Sequence, residues 1–138
     1  MALKLISGKV KNVFLPVTTS TALTKDTLVE ITSGKVAAAD DNDTALAGVI
    51  RKEIASTDDD YADARSVPVT VPVERHCIWE IDVTSGDTAV VGTHEGTEVG
   101  IDAAGTVDLD DVTNKVFLIT RVVSASKVQG YLKINGSY

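Results

Sequence analysis

The sequence predicts an all-β protein built from short antiparallel strands. Valine, isoleucine, threonine and alanine dominate it, while aromatic residues make up 4% of the chain, and β-branched side chains pack well on a pleated sheet. Short apolar runs are separated by glycine, aspartate, asparagine and serine, which favour tight turns. No segment shows the apolar period of a long amphipathic helix. The turn spacing is typical of a small barrel or sandwich of about nine to eleven strands.

The chain length of 138 residues fits a single domain, which would remove about two thirds of its unfolded surface from water. A core of that size needs no disulfide, and the single Cys77 has no partner within the chain. The first residues contain no apolar run of signal-peptide length, and no stretch approaches about 18 apolar residues. We therefore expect a protein made in the cytoplasm that does not act in a membrane.

Residues 1–16 are predicted to be an extended N-terminal arm or an edge strand, ahead of one domain at residues 17–138. Apolar and basic residues alternate loosely here, and Pro16 cannot donate a hydrogen bond to a neighbouring strand. Two interpretations remain open: the segment packs as an edge strand of its own domain, or it adds a strand to a partner protein. The residues predicted to make that contact are Leu3, Lys4, Leu5, Ile6, Lys9, Lys11, Val13 and Phe14.

Residues 26–51 hold the clearest structural unit. Three strands are predicted, at residues 28–31, 35–39 and 45–50. Ser33 and Gly34 accept the positive φ of a tight hairpin turn between the first two strands. The polar residues 40–43 favour a loop before the third, because their short side chains hydrogen-bond their own backbone.

The next two segments are less regular. Residues 56–65 are acidic and are predicted to form one helical turn, with carboxylates at its positive end. Residues 67–73 alternate like a strand. Because Pro68 and Pro72 cannot donate to a ladder, we expect this strand to lie at a sheet edge or to contain a bulge.

The C-terminal half is predicted to consist of strands and turns. One strand places Cys77, Trp79, Ile81 and Val83 on the same face. Further strands are predicted at residues 89–91, 98–101, 106–109, 116–123 and 128–134. The run at residues 116–123 is the most apolar of the chain, so it is expected to be covered on both faces.

The formal net charge of −7 is unevenly distributed. Residues 1–25 contain four lysines and no acidic residue, so the rest of the chain carries a net charge of −11. An acidic body repels phosphate backbones, which disfavours nucleic acid as a partner. The basic N-terminal segment is expected to bind an acidic surface.

No residue pattern indicates catalysis. His76 and Cys77 are adjacent, and adjacent side chains of a strand point to opposite faces, so they do not form a nucleophile and base. Pairing of Cys77 with His94 is geometrically possible, but a small buried hydrophobe is the favoured interpretation of Cys77. His94 has no second histidine one helical turn away, as a zinc site on a helix requires.

The acidic runs at residues 40–43, 58–60 and 108–111 offer oxygen ligands for calcium, but they lack the spacing of an EF-hand loop. Solvated turns are the favoured interpretation. We therefore expect a protein that is not an enzyme and that holds no cofactor and no metal.

Residues 28–50 contain an apolar strand, a Ser-Gly turn, a Lys-Val-Ala-Ala-Ala-Asp strand, an acidic loop and an Ala-Leu-Ala-Gly-Val-Ile strand. This order resembles the centre of the lambda-like head decoration proteins of tailed phages, which are small capsid cement proteins. The resemblance extends over about residues 20–83. It implies a β-tulip-like barrel that forms a trimer on the outer surface of the expanded capsid in the virion.

On this resemblance the partner is the major capsid protein, whose adjacent subunits the protein would clamp. Residues 2–15 are then expected to add a strand to a capsid sheet, with Lys4, Lys9 and Lys11 near capsid carboxylates. An alternative function stays open, that of a small β-rich binding module in a phage tail or receptor-binding structure. Clustered aromatic residues would favour the alternative, and this chain has few.

Overall fold

A computed structural model describes residues 3–41, 43–63, 65–73, 77–102 and 105–134. The described residues form strands, turns and loops without a helix, so the prediction of an all-β fold is confirmed. The strands are β1 (Lys4–Ser7), β2 (Val10–Pro16), β3 (Leu28–Thr32), β4 (Lys35–Ala38), β5 (Leu46–Ile50), β6 (Ser66–Pro72), β7 (Ile78–Val83), β8 (Glu98–Asp102), β9 (Thr106–Asp108), β10 (Phe117–Ser124) and β11 (Lys127–Leu132).

The first sheet closes into a barrel. Its strand order is β1-β7-β11-β10-β8-β9, and β9 returns to β7 in a parallel pairing, so that β7 to β11 form a closed ring. Strands β1 and β9 share one edge of β7. Lys4 lies opposite Glu80 at the start of that edge, and Thr106 lies opposite Asp82 near its end.

The second sheet is formed by residues 10–72, which are inserted between β1 and β7. Its order is β2-β6-β5-β3-β4, and all its pairings are antiparallel. An isolated bridge between Val17 and Val36 brings the end of β2 to β4. The chain crosses between the sheets at Gly8, whose φ is 106°. A Cβ at this position would lie 2.7 Å from the Cα of Cys77, so only glycine fits.

Two hydrophobic cores share the strands of the second sheet. The larger core fills the barrel and includes Trp79 and Phe117, and the smaller one lies inside the second sheet around Val36. Strand β5 is buried along its whole length. Its Leu46 belongs to the larger core and its Ile50 to the smaller one. The outer face of the second sheet therefore packs against the barrel.

Several predicted elements are confirmed. Strands β3, β4 and β5 lie where the central unit placed them, within one residue at each end. Alternate residues of β7 are buried from Trp79 to Val83. In β11 the alternation runs through Val128 to Leu132. These segments have one face on a core and one on solvent, which is what period-two patterning indicates.

The prediction that residues 67–73 form an edge strand or a bulged strand is wrong, because β6 lies between β2 and β5 and pairs with both without a register shift. Strand β6 can lie inside the sheet because both of its prolines lack an N–H on the same side of the strand. Pro68 accepts a hydrogen bond from Arg51 on the β5 side, at 3.0 Å. Since alternate residues bond to opposite neighbours, Pro68 and Pro72 both lack their N–H toward β5. Strand β5 pairs with β6 at only two residues, so both prolines are tolerated.

Three further predictions are corrected. The described residues of the acidic segment 56–65 form turns and no helical turn, with Arg65 paired to Asp58 and Asp60. Residues 89–91 form no strand. Strand β10 is covered on both faces only at its start, because Phe117 and Ile119 are buried and Leu118 is half-buried there, whereas four of the five residues that follow are exposed.

Candidate interaction surface

Within the predicted arm, the described residues 3–16 form two strands of the domain itself. Strand β1 pairs with β7, and β2 pairs with β6 over seven consecutive residues. The sequence left open whether this segment is an edge strand of its own domain or a strand added to a partner. In the structure, both strands are edge strands of their own domain. Donation of β2 to a partner sheet would require the loss of its pairing with β6.

The structure separates the eight predicted contact residues into two groups. Leu3 is buried in the larger core, and its backbone N–H donates to Asp26 O at 2.9 Å. Leu5 and Val13 are half-buried against the larger and the smaller core. Leu3 and Leu5 therefore stabilise the fold and are not a contact surface, whereas Val13 packs on the smaller core and also lines an accessible groove. The exposed members of the predicted set are Lys4, Ile6, Lys9, Lys11 and Phe14.

One edge of β2 is open. Val73 donates its backbone N–H to Lys9 O at 2.8 Å, which directs the odd-numbered residues of this segment toward β6. The backbone groups of Val10, Asn12 and Phe14 therefore point to the opposite side. Among the described strands none pairs with β2 on that side, and contact with β4 begins only at the bridge that follows β2. Such an edge can pair with another chain.

An apolar groove of about 360 Å³ lies beside this edge. It exists because β2 and β4 meet only at the bridge, which leaves part of the inner face of the sheet accessible. The groove is lined by Lys11, Val13, Leu15, Ile31, Ala47, Val71, Pro72 and Ile134. Of these described lining residues, Lys11 is the one with a charged side chain.

Phe14 is the exposed aromatic residue of this region. It lies on the outer face of β2, opposite Pro68, with 70% of its surface accessible. The neighbouring cross-strand pair is polar, and the Thr70 hydroxyl donates to Asn12 Oδ1 at 2.6 Å. An aromatic ring exposed on an edge strand is typical of a contact anchor, since its burial removes a large apolar area from water.

The charge around β2 is positive. Neither Lys4 nor Lys11 forms an ion pair with any residue that the structure describes. Lys4 lines a second cleft, of about 520 Å³, where β1 approaches the second sheet. There Arg51 pairs with Asp26 at 2.5 Å and Lys127 with Glu80 at 3.8 Å, so this cleft largely neutralises its own charges.

Several acidic side chains gather around Asp41. Desolvation, followed by the carboxylates of Asp102 and Asp108, raises the pKa of Asp41. The pKa of the neighbouring Asp111 is lowered instead. Backbone and side-chain N–H groups of Asn114 hold the pKa of Asp111 below its ordinary value, at distances of 3.0 and 3.2 Å. Asp111 is therefore part of a hydrogen-bonded turn, whereas Asp41 lies among like charges.

Among the described residues, the carboxylates of Asp87, Asp108 and Asp110 could hold a cation, with oxygens within 4.8 Å of one another. Local hydrogen bonds already orient two of them. Asp87 accepts from Leu109 N–H at 3.2 Å, and Asp108 accepts from Asp110 N–H at 3.0 Å. The arrangement is therefore explained by turn formation, and a hard cation such as calcium would find an open set of oxygens.

A glutamine at position 30 is expected to stabilise the fold at neutral pH. Desolvation by partial burial and repulsion by Asp43 and Asp40 raise the pKa of Glu30. The folded state thus holds the proton more tightly than the unfolded chain, whose value is near 4.5. The destabilisation by the ionised group is present above the raised pKa and disappears as pH falls through the unfolded value.

Urea unfolding of Glu30→Gln should therefore show a gain of about 0.5 kcal/mol at pH 7. The gain should vanish below about pH 4. Glu53→Gln, on an exposed loop, is the matched control and should change little at either pH. A loss of stability for Glu30→Gln at pH 7 would contradict the expectation.

The residues considered for catalysis serve local structure. The buried Cys77 donates its thiol to Lys9 O at 3.2 Å, and His94 Nδ1 accepts the backbone N–H of Val90 at 2.8 Å. His76 lies outside the described residues. In the part of the chain that is described, no helix is long and apolar enough to cross a membrane.

Sequence reasoning predicted an edge strand in this segment but missed the groove beside it. Ile31, Val71 and Ile134 come from distant parts of the chain, and no local pattern joins them to β2. The signal that was available is Phe14 within a segment free of acidic residues. A scan against protein-family models and a search of curated proteins found no match to this chain.

Proposed function

We propose that this chain is a structural phage protein that decorates the outer surface of the expanded head and stabilises contacts between major capsid protein subunits. The observation that carries the proposal is the open edge of β2, beside which lie the exposed Phe14 and Lys11, a residue that forms no ion pair within the described part of the chain. The resemblance of residues 28–50 to lambda-like decoration proteins supplies the partner.

The mechanism follows from the geometry of this edge. A capsid segment contacts the exposed residues of β1 and β2, and Lys4 and Lys11 lie against capsid carboxylates. Leu3, Leu5 and Val13 stay in the cores and hold these strands in place. As a trimer the protein would make three such contacts at once, and their combined strength would exceed that of one contact. No step requires nucleic acid, membrane or a cofactor.

Co-sedimentation with purified phage shells tests the proposal. The protein should bind saturably to expanded, undecorated shells and should not bind to unexpanded ones. Removal of the ring in Phe14→Ala should weaken binding by about tenfold or more, because buried aromatic anchors contribute about 2 kcal/mol or more to interfaces.

The matched control is Val91→Ala. Val91 is the most exposed large apolar residue in the described chain and lies in the loop between β7 and β8, away from β2 in sequence and sheet. This variant should bind like the unchanged protein. Failure of the unchanged protein to bind either shell would contradict the proposed function and favour a module of a tail or receptor-binding structure.

A further inference from the structure

We infer, on the basis of the proposed function, that the groove beside β2 receives one extended acidic and apolar segment of the capsid partner, which completes the second sheet. The chain is then the acceptor of a strand, and its N-terminal residues are not themselves the donated strand. Three properties of the same place support it: backbone groups that pair with none of the described strands, an apolar groove, and the positive charge of Lys11, which pairs with none of the described acidic residues.

The backbone groups define where a partner strand would lie. Val10, Asn12 and Phe14 direct their N–H and C=O groups to the open side of β2, while the odd-numbered residues are bonded to β6. Pro16 has no N–H to offer, and the bridge to β4 closes the seam directly after it. A partner segment of about five residues, roughly 17 Å long, fits this stretch.

The side chains define the apolar part of that segment. Alternate side chains of an added strand lie on the same face as Lys11, Val13 and Leu15, because paired strands share their pleat. That face leads into the groove, which Val71 of β6 and Ile31 of β3 also line. The remaining side chains of the added strand lie on the face of Phe14. Aliphatic residues at every second position would thus be buried, as in other cases of strand addition.

The charge defines the acidic part. Among the described residues that line the groove, Lys11 is the one with a charge, and it forms no ion pair with the residues that the structure describes. The first 25 residues of the chain contain no acidic side chain. A second copy of β2 would bring Lys9 and Lys11 to an edge that already holds them, and like charges on paired strands are destabilising. An acidic segment of a different protein is therefore the occupant that fits.

Two substitutions at one position separate backbone pairing from side-chain contact. Phe14→Ala and Phe14→Pro both remove the ring, but only proline removes the N–H that faces the open edge. Neither change removes a hydrogen bond to β6. We expect Phe14→Pro to bind expanded shells about tenfold more weakly than Phe14→Ala. Proline removes one backbone hydrogen bond to the partner strand and weakens the adjacent one.

Two substitutions of Lys11, one acidic and one neutral, give an independent measurement. Their effect does not depend on how the β2 backbone accommodates a proline. Lys11→Glu should weaken shell binding more than Lys11→Gln does, with a difference of about tenfold at low salt that shrinks as salt is added. Both variants change an exposed end of the side chain. Unfolding followed by the fluorescence of the single Trp79 checks that each variant keeps the fold.

A peptide measurement makes the inference independent of the shells. The probe is a capped eight-residue peptide in which valine alternates with aspartate and threonine, and its counterpart carries lysine in place of aspartate. In amide NMR spectra, the acidic peptide at millimolar concentration should shift the signals of Val10, Lys11, Asn12 and Phe14. The lysine peptide should shift them much less.

The outcomes distinguish this inference from the proposed function. If the unchanged protein binds expanded shells, and proline and alanine at position 14 bind equally well, the strand-acceptor inference is overturned while the decoration function stands. If the unchanged protein binds no shell, the decoration function fails, and the peptide alone decides. Absence of shifts along β2 with the acidic peptide then overturns the inference, and specific shifts support it.

Discussion

Replacing Phe117 with alanine is expected to lower the free energy of unfolding by about 3–5 kcal/mol, the range for a fully buried phenylalanine. Phe117 is completely buried at the start of β10, where that strand is covered on both faces. It lies opposite Val99 on one side and Leu132 on the other. Truncation leaves a cavity between three strands of a closed barrel, which cannot collapse without a change in strand register.

Urea unfolding monitored by Trp79 fluorescence measures this loss, since the single tryptophan is buried in the same core. The other phenylalanine of the chain is the control. Phe14→Ala should change the free energy of unfolding by less than about 0.5 kcal/mol, because Phe14 is exposed. Equal losses for the two variants would contradict the assignment of Phe14 to a contact surface and Phe117 to the core.

Replacing Gly130 with alanine is expected to cost about 3 kcal/mol, at the upper end of the range for overpacking. A Cβ at this position of β11 would overlap the carbonyl oxygen of Leu118 on β10 and would approach the ring of Phe117 at 2.9 Å. The pairing of Leu118 with Tyr131 fixes the carbonyl, so the clash can be relieved only by separation of β10 and β11.

Gly105→Ala is the matched control, since among the described residues a Cβ there meets only Thr27, at 3.9 Å, and its backbone requires no positive φ. Its free energy of unfolding should change by less than about 0.5 kcal/mol. Combination of Gly130→Ala with Phe117→Ala should not restore stability, because the carbonyl remains in the way. If the double variant recovered the free energy of unfolding, the ring of Phe117 alone would explain why position 130 requires glycine.

The sequence predicts well those elements whose determinants are local. Strands β3 and β4 are joined by Ser33 and Gly34, both of which adopt a positive φ. Strands β7 and β11 alternate because one face of each lies on the barrel core. In these segments the side-chain period and the turn residues suffice, and no distant contact is needed to locate the strand.

Elements that depend on distant partners were not predictable in this way. The position of β6 inside a sheet depends on which neighbour faces Pro68 and Pro72, and a single strand carries no information about that. The insertion of residues 10–72 depends on the pairing of β1 with β7, as between Lys4 and Glu80. Residues 89–91 resemble a strand, but the run is short and His94 Nδ1 binds the N–H of Val90 to form a turn.

The candidate surface likewise combines features that the local sequence predicts with features that depend on distant contacts. Basic and exposed residues such as Lys11 and Phe14 could be selected from composition, because no acidic residue occurs before position 26. The inward orientation of Leu3 and Val13 could not be predicted from the sequence. Alternation assigns residues to two faces of a strand but does not show which face packs against a core. The groove required Ile31 and Ile134 to meet beside β2, which only the fold provides.

Thermal disruption of expanded shells is the most direct measure of a cementing role. Undecorated shells should be heated alone, with the saturating unchanged protein, and with Phe14→Ala at the same concentration. We predict that the unchanged protein raises the temperature of shell disruption, because a ligand that binds only the intact shell stabilises it. The alanine variant should raise it less. Saturable binding of the unchanged protein without any rise in that temperature would contradict a cement function.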